Sequence, residues 1–372
     1  FVKEEAHPGI DPEEGIDWEG LKRVVHLSTN FLDNVIDANV YPLQQIHELA
    51  QNIRRIGLGV MGWADMMIRL GIGYDSEEGV ALGQRVMGFV DEEARRASEK
   101  LAEKRGVFPA WPESVWGPDE SAAVGLNGGR VRQERELRNC NLTTVAPTGT
   151  ISIFAGCSGG IEPLFAVAFM RNQAGVLMPD VNPDFIRVAK DGGWYSEELM
   201  EQIAEEGHIH FDEVPEEVQQ VFRTAHDITP EWHVRMQAAF QEHTDSAISK
   251  TTNFPNDATA EDVREIYELA YSLGCKGVTV YRDGAREGQV LSTGKTDQGG
   301  QDAAQNVSEL EHSLADAREE AHNLRIEVER LKHQLMGEDE TLGAARQKRQ
   351  RPAALQGYTM KDEEIEYAAQ DL

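Results

Sequence analysis

Residues 142–146 (Leu-Thr-Thr-Val-Ala) are a short β-branched run that stops at Pro147, Thr148, Gly149, Thr150, Ile151 and Ser152, and small residues then lead on to Gly156, Gly159 and Gly160. This order constrains the chain more than any other stretch, because an extended segment must end in a turn where nothing bulky covers the backbone amides. Short hydroxylated residues and glycine leave N–H groups open, and a helix starting near Ser152 adds the positive end of its dipole. A phosphate placed there meets amides, hydroxyls and dipole together. The same residues also suit an ordinary strand–turn–helix with a Ser or Thr cap. The lysine of a P-loop is absent.

The length, 372 residues, allows one large domain or two ordinary ones with a sizeable core. Acidic residues number 65 against 36 basic ones, giving a formal charge of −29, a field that repels nucleic acid. An acidic surface with only 11 lysines also suggests a salt-rich host, where ionic strength screens the self-repulsion. Cys140, Cys157 and Cys275 are widely spaced and form no CxxC, which argues against a disulfide scaffold or zinc ribbon, leaves no metal site expected and fits a reducing cytoplasm. No apolar run approaches the ~20 residues of a membrane helix and no signal peptide opens the sequence, so no membrane partner is expected. The first residue is Phe1 rather than Met, which suggests a processed product or a piece of a longer protein.

Along the chain, residues 1–20 read as an acidic surface connection, and Leu21, Val24, Val25, Leu27, Phe31, Leu32, Val35 and Ile36 predict a buried helix over 18–37. A second helix is expected over 42–55, entered at Pro42. Gly57, Gly59 and Gly62 fit GxGxxG, but the preceding residues read as a helix end rather than a strand, so close helix packing is expected there instead of a dinucleotide. Residues 75–106 predict a long amphipathic helix or helix pair forming a solvated wall, with Glu92 and Arg96 on its outer face and Gly106 as its stop. Residues 108–130 read as a loop and 178–185 as a proline-punctuated connection. Short helices are expected over 197–206 and 215–224, and His208 and His210 alternate as in a strand, without a convincing metal-ligand spacing.

Thr229, Pro230 and Glu231 form a strong helix start, and Trp232, Met236, Ala239, Phe240 and His243 then line one face. Residues 247–254 and 276–281 are β-rich with a helix over 259–273 between them, the pattern of parallel strands joined by a crossover. Beyond Leu291 the composition changes to a Gly-, Gln- and Asp-rich linker over 292–305. Val307, Leu310, Leu314, Ala317, Ala321, Leu324, Val328, Leu331 and Leu335 then alternate at spacings of three and four, predicting a coiled-coil helix over 306–336, with a polar tail over 337–372. A single amphipathic helix folding back on the domain would show the same pattern.

Residues 141–152 and 155–165 closely resemble the substrate-phosphate loop of the adenosylcobalamin-dependent (class II) ribonucleotide reductases. Residues 27–37, 55–65, 226–240 and 274–284 resemble the same family in the same order, so the likeness covers roughly residues 1–291, and 347–361 again look like its segment after the barrel. The resemblance implies an α/β fold, the C-terminal half of a ten-stranded barrel. It implies that Pro147, Thr148, Gly149, Thr150, Ile151 and Ser152 hold the phosphates of a ribonucleoside diphosphate. It further implies adenosylcobalamin as cofactor, a thioredoxin- or glutaredoxin-type reductant, and reduction of ribonucleotides to 2′-deoxyribonucleotides for DNA synthesis. Where the class I relatives carry two adjacent radical-passing tyrosines, this sequence has Thr279 and Val280, which suits a radical generated locally at a cobalamin.

The likeness has gaps. The family's finger loop, Asn-x-Cys-x-Glu, does not occur in this sequence, so no catalytic residue is assigned to it and the three cysteines read as core residues. That loop, the second active-site cysteine and any effector-binding region are expected upstream of Phe1 in a longer polypeptide. The alternative is a non-catalytic half of a split reductase, self-associating or pairing with a separate catalytic half through the heptads. A different phosphate-binding barrel enzyme that needs no thiol is the remaining reading.

Overall fold

The computed structural model describes residues 1–123, 132–173 and 176–285. The expected linker 292–305, heptad helix 306–336 and tail 337–372 lie outside the described residues. Its helices are α1 (Pro12–Gly15), α2 (Trp18–Ala38), α3 (Gln44–Ile53), α4 (Trp63–Leu70), α5 (Glu77–Arg105), α6 (Gly149–Ala155), α7 (Pro183–Asp191), α8 (Glu197–Glu206), α9 (Glu216–Val221), α10 (Pro230–Gln241) and α11 (Ala260–Ser272). The strands are β1 (Ala168–Gln173), β2 (Val176–Val181), β3 (Thr251–Phe254) and β4 (Thr279–Arg282).

α5 is the axis of the core. Ser76 caps it by accepting from the Gly79 amide at 2.9 Å, Glu77 and Glu78 meet its positive end, and Gly106 ends it at φ +83°. It is one helix of 29 residues, packed between α2 and α10, and not the solvated wall expected from its charges. Leu82, Val86, Met87, Val90 and Ala94 are buried against Trp63, Met236 and Phe240 in the main apolar cluster. The charges mislead because several sit inside paired networks: Asp91 and Arg95 are both buried and joined at 2.6 Å.

Around this axis lie extended segments running parallel. The Leu58 amide donates to the Leu142 carbonyl at 2.7 Å and the Thr144 amide to the Leu58 carbonyl at 2.9 Å. On the other side the Ser246 amide reaches the Thr143 carbonyl at 3.0 Å and the Ser249 amide the Val145 carbonyl at 2.9 Å. The chain continues into β3, which pairs in parallel with β4 in the register Thr251–Thr279 to Phe254–Arg282, with α11 as the crossover. Four extended segments in chain order thus stand side by side, with helices between them in sequence.

Gly57 and Gly59 of the GxGxxG stretch lie in the first of these segments and permit close strand approach, not the helix packing expected, while Gly62 stands at the N-cap of α4 at φ +80°. A Cβ on Gly59 would stand 2.2 Å from the carbonyl oxygen of Thr144, and one on Gly57 would stand 2.7 Å from Thr144 Cγ2. Gly59→Ala is therefore expected to cost about 3 kcal/mol, seen as a lowered urea midpoint, because only separating the two segments relieves the clash. An unchanged midpoint would contradict this pairing.

Other expectations need correction. α3 begins at Gln44 with Leu43 at its N-cap position and no side-chain cap, so Pro42 lies outside it. The stretch expected as a connection over 178–185 holds the start of α7 and the end of β2, which forms an antiparallel hairpin with β1. Pro179 obscured it, a residue tolerated in a two-stranded ribbon whose outer edge needs no amide. His208 and His210 lie in coil, their rings stacked with centroids 5.8 Å apart, and form no strand. The expected hydroxyl cap of α10 is absent, since Thr229 makes no capping hydrogen bond there.

α2 buries Leu21, Val25, Thr29, Asp33 and Ile36 but leaves Val24, Leu27, Phe31 and Val35 exposed along its other side. α3 has no buried residue at all, and Leu43, Ile46 and Leu49 are exposed on or beside it. No described helix is long and apolar enough to cross a membrane.

Candidate functional site

The turn at 147–152 stands at the C-terminal end of the 142–145 segment, where parallel strands release their loops and where α/β proteins place ligands. α6 starts at Gly149, three residues earlier than expected. Thr148 precedes it at φ +51°, ψ 23°, a left-handed conformation that is costly for a β-branched residue. Its hydroxyl does not cap the helix but accepts from the Gly160 amide at 2.7 Å, closing the loop 148–160 on itself. The first amides of α6 therefore have neither an intrahelical nor a side-chain acceptor.

The six residues expected to hold the phosphates divide by exposure. Pro147, Gly149, Thr150 and Ile151 are exposed and Thr148 is half-buried. Ser152 is buried, its amide donating to the Thr148 carbonyl at 2.9 Å and its hydroxyl to the Gly149 carbonyl at 3.2 Å. The structure thus brings five of the six to one open turn and turns the sixth inward. Nothing lies within 4 Å of where a Cβ on Gly149 would stand. Beside the turn, Ile151, Ile153 and Phe154 expose their apolar side chains.

The returning limb is pinned from several sides. The Ser158 amide donates to Asp65 Oδ2 at 2.7 Å, and the Gly62 amide to the Ser158 carbonyl at 2.8 Å. Tyr74, buried, donates its hydroxyl to the Ile161 carbonyl at 2.7 Å, and burial pushes that phenol well above its ordinary range. Glu162 Oε1 accepts from the Thr251 amide at 2.7 Å, while its Oε2 lies 3.0 Å from Lys250 Nζ.

Lys250 is fully enclosed, and its three donors have three acceptors: Glu162 Oε2, the Thr251 carbonyl at 2.8 Å and His233 Nδ1 at 2.7 Å. His233 Nε2 lies 3.2 Å from the Ala225 carbonyl, which assigns the proton to Nε2 and leaves Nδ1 as an acceptor. Burial, then the Lys250 charge, push the His233 imidazole down to about 3. Burial also pushes the Lys250 ammonium below its ordinary range, opposed by Glu162.

The pH consequence follows from the sign of the His233 shift. Unfolded, the imidazole protonates near its ordinary pKa of ~6.5, while folded it stays neutral, so its share of stability is complete above that value and lost as pH falls toward 3. Between pH 6 and 5 the slope approaches about 1.4 kcal/mol per unit, and His233→Asn is expected to flatten the urea-unfolding profile in that window. Equal slopes for the two proteins would rule out a neutral buried imidazole.

Sequence reasoning missed Tyr74, Glu162, His233 and Lys250. A signal was present in Lys250, since a lysine inside the β-rich run 247–254 must find partners if buried. All three cysteine thiols are held above their ordinary range. Burial raises Cys140, burial and Asp65 raise Cys157, and burial pushes Cys275 up to about 11. Among the described residues no group of three or more His, Cys, Asp or Glu could hold a metal.

A cleft of about 450 Å³ adjoins the loop, lined by Val24, Leu58, Met61, Trp63 and Cys157 among others. A corrin with its nucleotide tail is larger than this cleft, so the described residues do not by themselves enclose one, and no chemical step is assigned through it.

Residues 2–281 match the family model of the ribonucleotide reductase barrel domain. The chain is 49% identical over 280 residues to a protein of Thermoplasma acidophilum named vitamin B12-dependent ribonucleoside-diphosphate reductase, covering 75% of this chain and 35% of that one. A Mycobacterium tuberculosis protein of the same name is 47% identical over 279 residues, covering 75% and 38%. The chain thus spans little more than a third of the length of these relatives. Among solved structures, the class Id ribonucleotide reductase alpha subunit of Actinobacillus ureae matches with a TM-score of 0.57 at 22% identity, covering 72% of this chain and 47% of that one. That likeness is one of fold.

Proposed function

Because the chain belongs to the ribonucleotide reductase barrel family, we propose that it forms the phosphate-binding side of an adenosylcobalamin-dependent ribonucleoside-diphosphate reductase. The complete enzyme replaces the 2′-hydroxyl of a ribonucleotide by hydrogen, releasing water and oxidising a dithiol to a disulfide. Adenosylcobalamin, when bound, supplies the radical that starts this chemistry. The residues described here bind and orient.

The single observation that carries the assignment is Thr148. A threonine is held left-handed, its hydroxyl is diverted to Gly160, and the amides of Gly149, Thr150 and Ile151 are left open at a helix start. A left-handed threonine costs stability, which supports a ligand as its reason. A diphosphate there accepts from these amides and from the Thr150 hydroxyl, with Ser152 contributing only if its hydroxyl leaves the Gly149 carbonyl.

We assign the ten-stranded barrel to the complete polypeptide, with the four parallel segments as part of its wall. The thiyl-forming finger loop and the corrin contacts are assigned to polypeptide outside this sequence, reduced by a thioredoxin- or glutaredoxin-type dithiol. The bare apolar faces of α2 and α3 support association with further polypeptide or a second copy, since isolated patches of this kind are costly in water. The heptad stretch 306–336 is a second candidate for self-association, and the charge of −29 supports a salt-rich cytoplasm.

The test uses the native polypeptide that carries the loop, supplied with ribonucleoside diphosphate, dithiol and adenosylcobalamin. Formation of 2′-deoxyribonucleoside diphosphate that requires all three is the expected result. Turnover without cobalamin, or none with it, would overturn the assignment.

A further inference from the structure

The Lys250 cluster joins the returning limb of the 148–160 loop to α10 and to the start of β3. Lys250 immediately precedes β3, which Thr251 opens, His233 lies on α10, and Glu162 is the second residue after the loop closure at Gly160. Glu162 makes two contacts to this corner, accepting from the Thr251 amide at 2.7 Å and from Lys250 at 3.0 Å. One residue earlier, the Ile161 carbonyl is held by Tyr74, whose ring lies with its centroid 5.7 Å from Lys250 Nζ. The loop 148–160 is thus a closed ring whose returning end is bolted to the wall beside it.

We propose that Lys250, acting through Glu162, is a positioning residue that holds the 148–160 loop in its phosphate-accepting shape. The inference rests on the reading of residues 147–152 as the site for the substrate's phosphates. Lys250 is enclosed and cannot touch a ligand at the exposed turn, so its effect must pass through the loop. The loop needs such an anchor because Thr148 is held against its own preference, and the Gly160 amide that donates to its hydroxyl is only as well placed as the limb carrying it. His233 completes the device by accepting the third Lys250 proton, so that the ammonium is charged and fully paired.

With Glu162→Gln, Lys250→Met and their double variant in the native full-length polypeptide, binding of a ribonucleoside diphosphate and of the matching ribonucleoside without phosphates is measured by calorimetry. Each single variant is expected to weaken the diphosphate about 10-fold or more and the nucleoside less than twofold. The double is expected to lose no more than the worse single, since the two residues act as one unit. Glu162→Gln keeps the shape of the side chain and an acceptor for the Thr251 amide, so it reports even if Lys250→Met does not fold.

Equal weakening of both ligands would reduce the cluster to a structural role and overturn the proposal. So would unchanged diphosphate binding in Glu162→Gln, or additive losses in the double. Failure of the underlying reading shows separately, in the unmodified protein, as equal affinity for nucleoside and diphosphate.

Discussion

Replacing Gly149 by valine is expected to raise the apparent constant for the ribonucleotide on the order of 100-fold, a loss of ~2.7 kcal/mol, while leaving the unfolding midpoint unchanged or slightly raised. The structure makes this a clean test. Gly149 is the first residue of α6 and is exposed, has an ordinary negative φ, and has no heavy atom within 4 Å of a Cβ position. Within the protein a Cβ there meets nothing, so a penalty points to what occupies the open side of the turn. The size corresponds to one or two hydrogen bonds to a charged group, at ~1.5–3 kcal/mol each. Gly149→Ala should fall between. A valine variant of normal stability and normal substrate constant would remove the turn from the site.

The largest stability effect is expected at Asp33. This carboxylate is wholly buried and accepts from Arg54 Nε at 2.9 Å, from Arg105 Nη1 at 2.7 Å and from Asn139 Nδ2 at 3.0 Å. Arg54 is itself 2% exposed and also reaches Asp37, whose carboxyl its hydrogen bonds hold below the usual range. Asp33→Ala leaves the buried Arg54 Nε without its carboxylate and takes an acceptor from Asn139, and removing one partner of a buried pair typically costs ~3–5 kcal/mol. Chemical denaturation should show that loss, whereas Asp37→Ala, at the exposed end of the same network, should cost about 1 kcal/mol. Similar values for the two variants would mean that the buried carboxylate is not the hub.

That network shows what the sequence conceals. Asp33, Arg54, Arg105 and Asn139 are separated by up to 106 positions, and each taken alone looks like a surface residue. The same holds for Glu162 and Lys250, 88 positions apart. Ion pairs of this kind have no periodicity, so nothing local announces them. The hairpin β1–β2 was hidden for a different reason: Pro179 reads as a breaker, yet a two-stranded ribbon has outer edges on which a missing amide costs little. The long helix over 77–105 was legible as a helix but not as the core axis, because its buried Asp91, Glu93 and Arg95 count as polar in any pattern.

What the sequence determined by itself is what depends on short range. The helix at Trp18–Ala38 follows from apolar spacing, the end of α5 from Gly106, the α11 start from the Thr259–Asp262 capping box, and the open turn at 147–151 from residues too small to cover their amides. Only the tertiary structure decided which glycine admits a neighbouring backbone, which charges lie inside, that Thr148 gives its hydroxyl to Gly160 rather than to its own helix, and that a buried lysine 100 residues beyond Thr150 anchors the returning limb. Local preference is an energy of about 1 kcal/mol per residue, and burying a charge or closing a strand pair is worth several times that. Where the two conflict, packing wins.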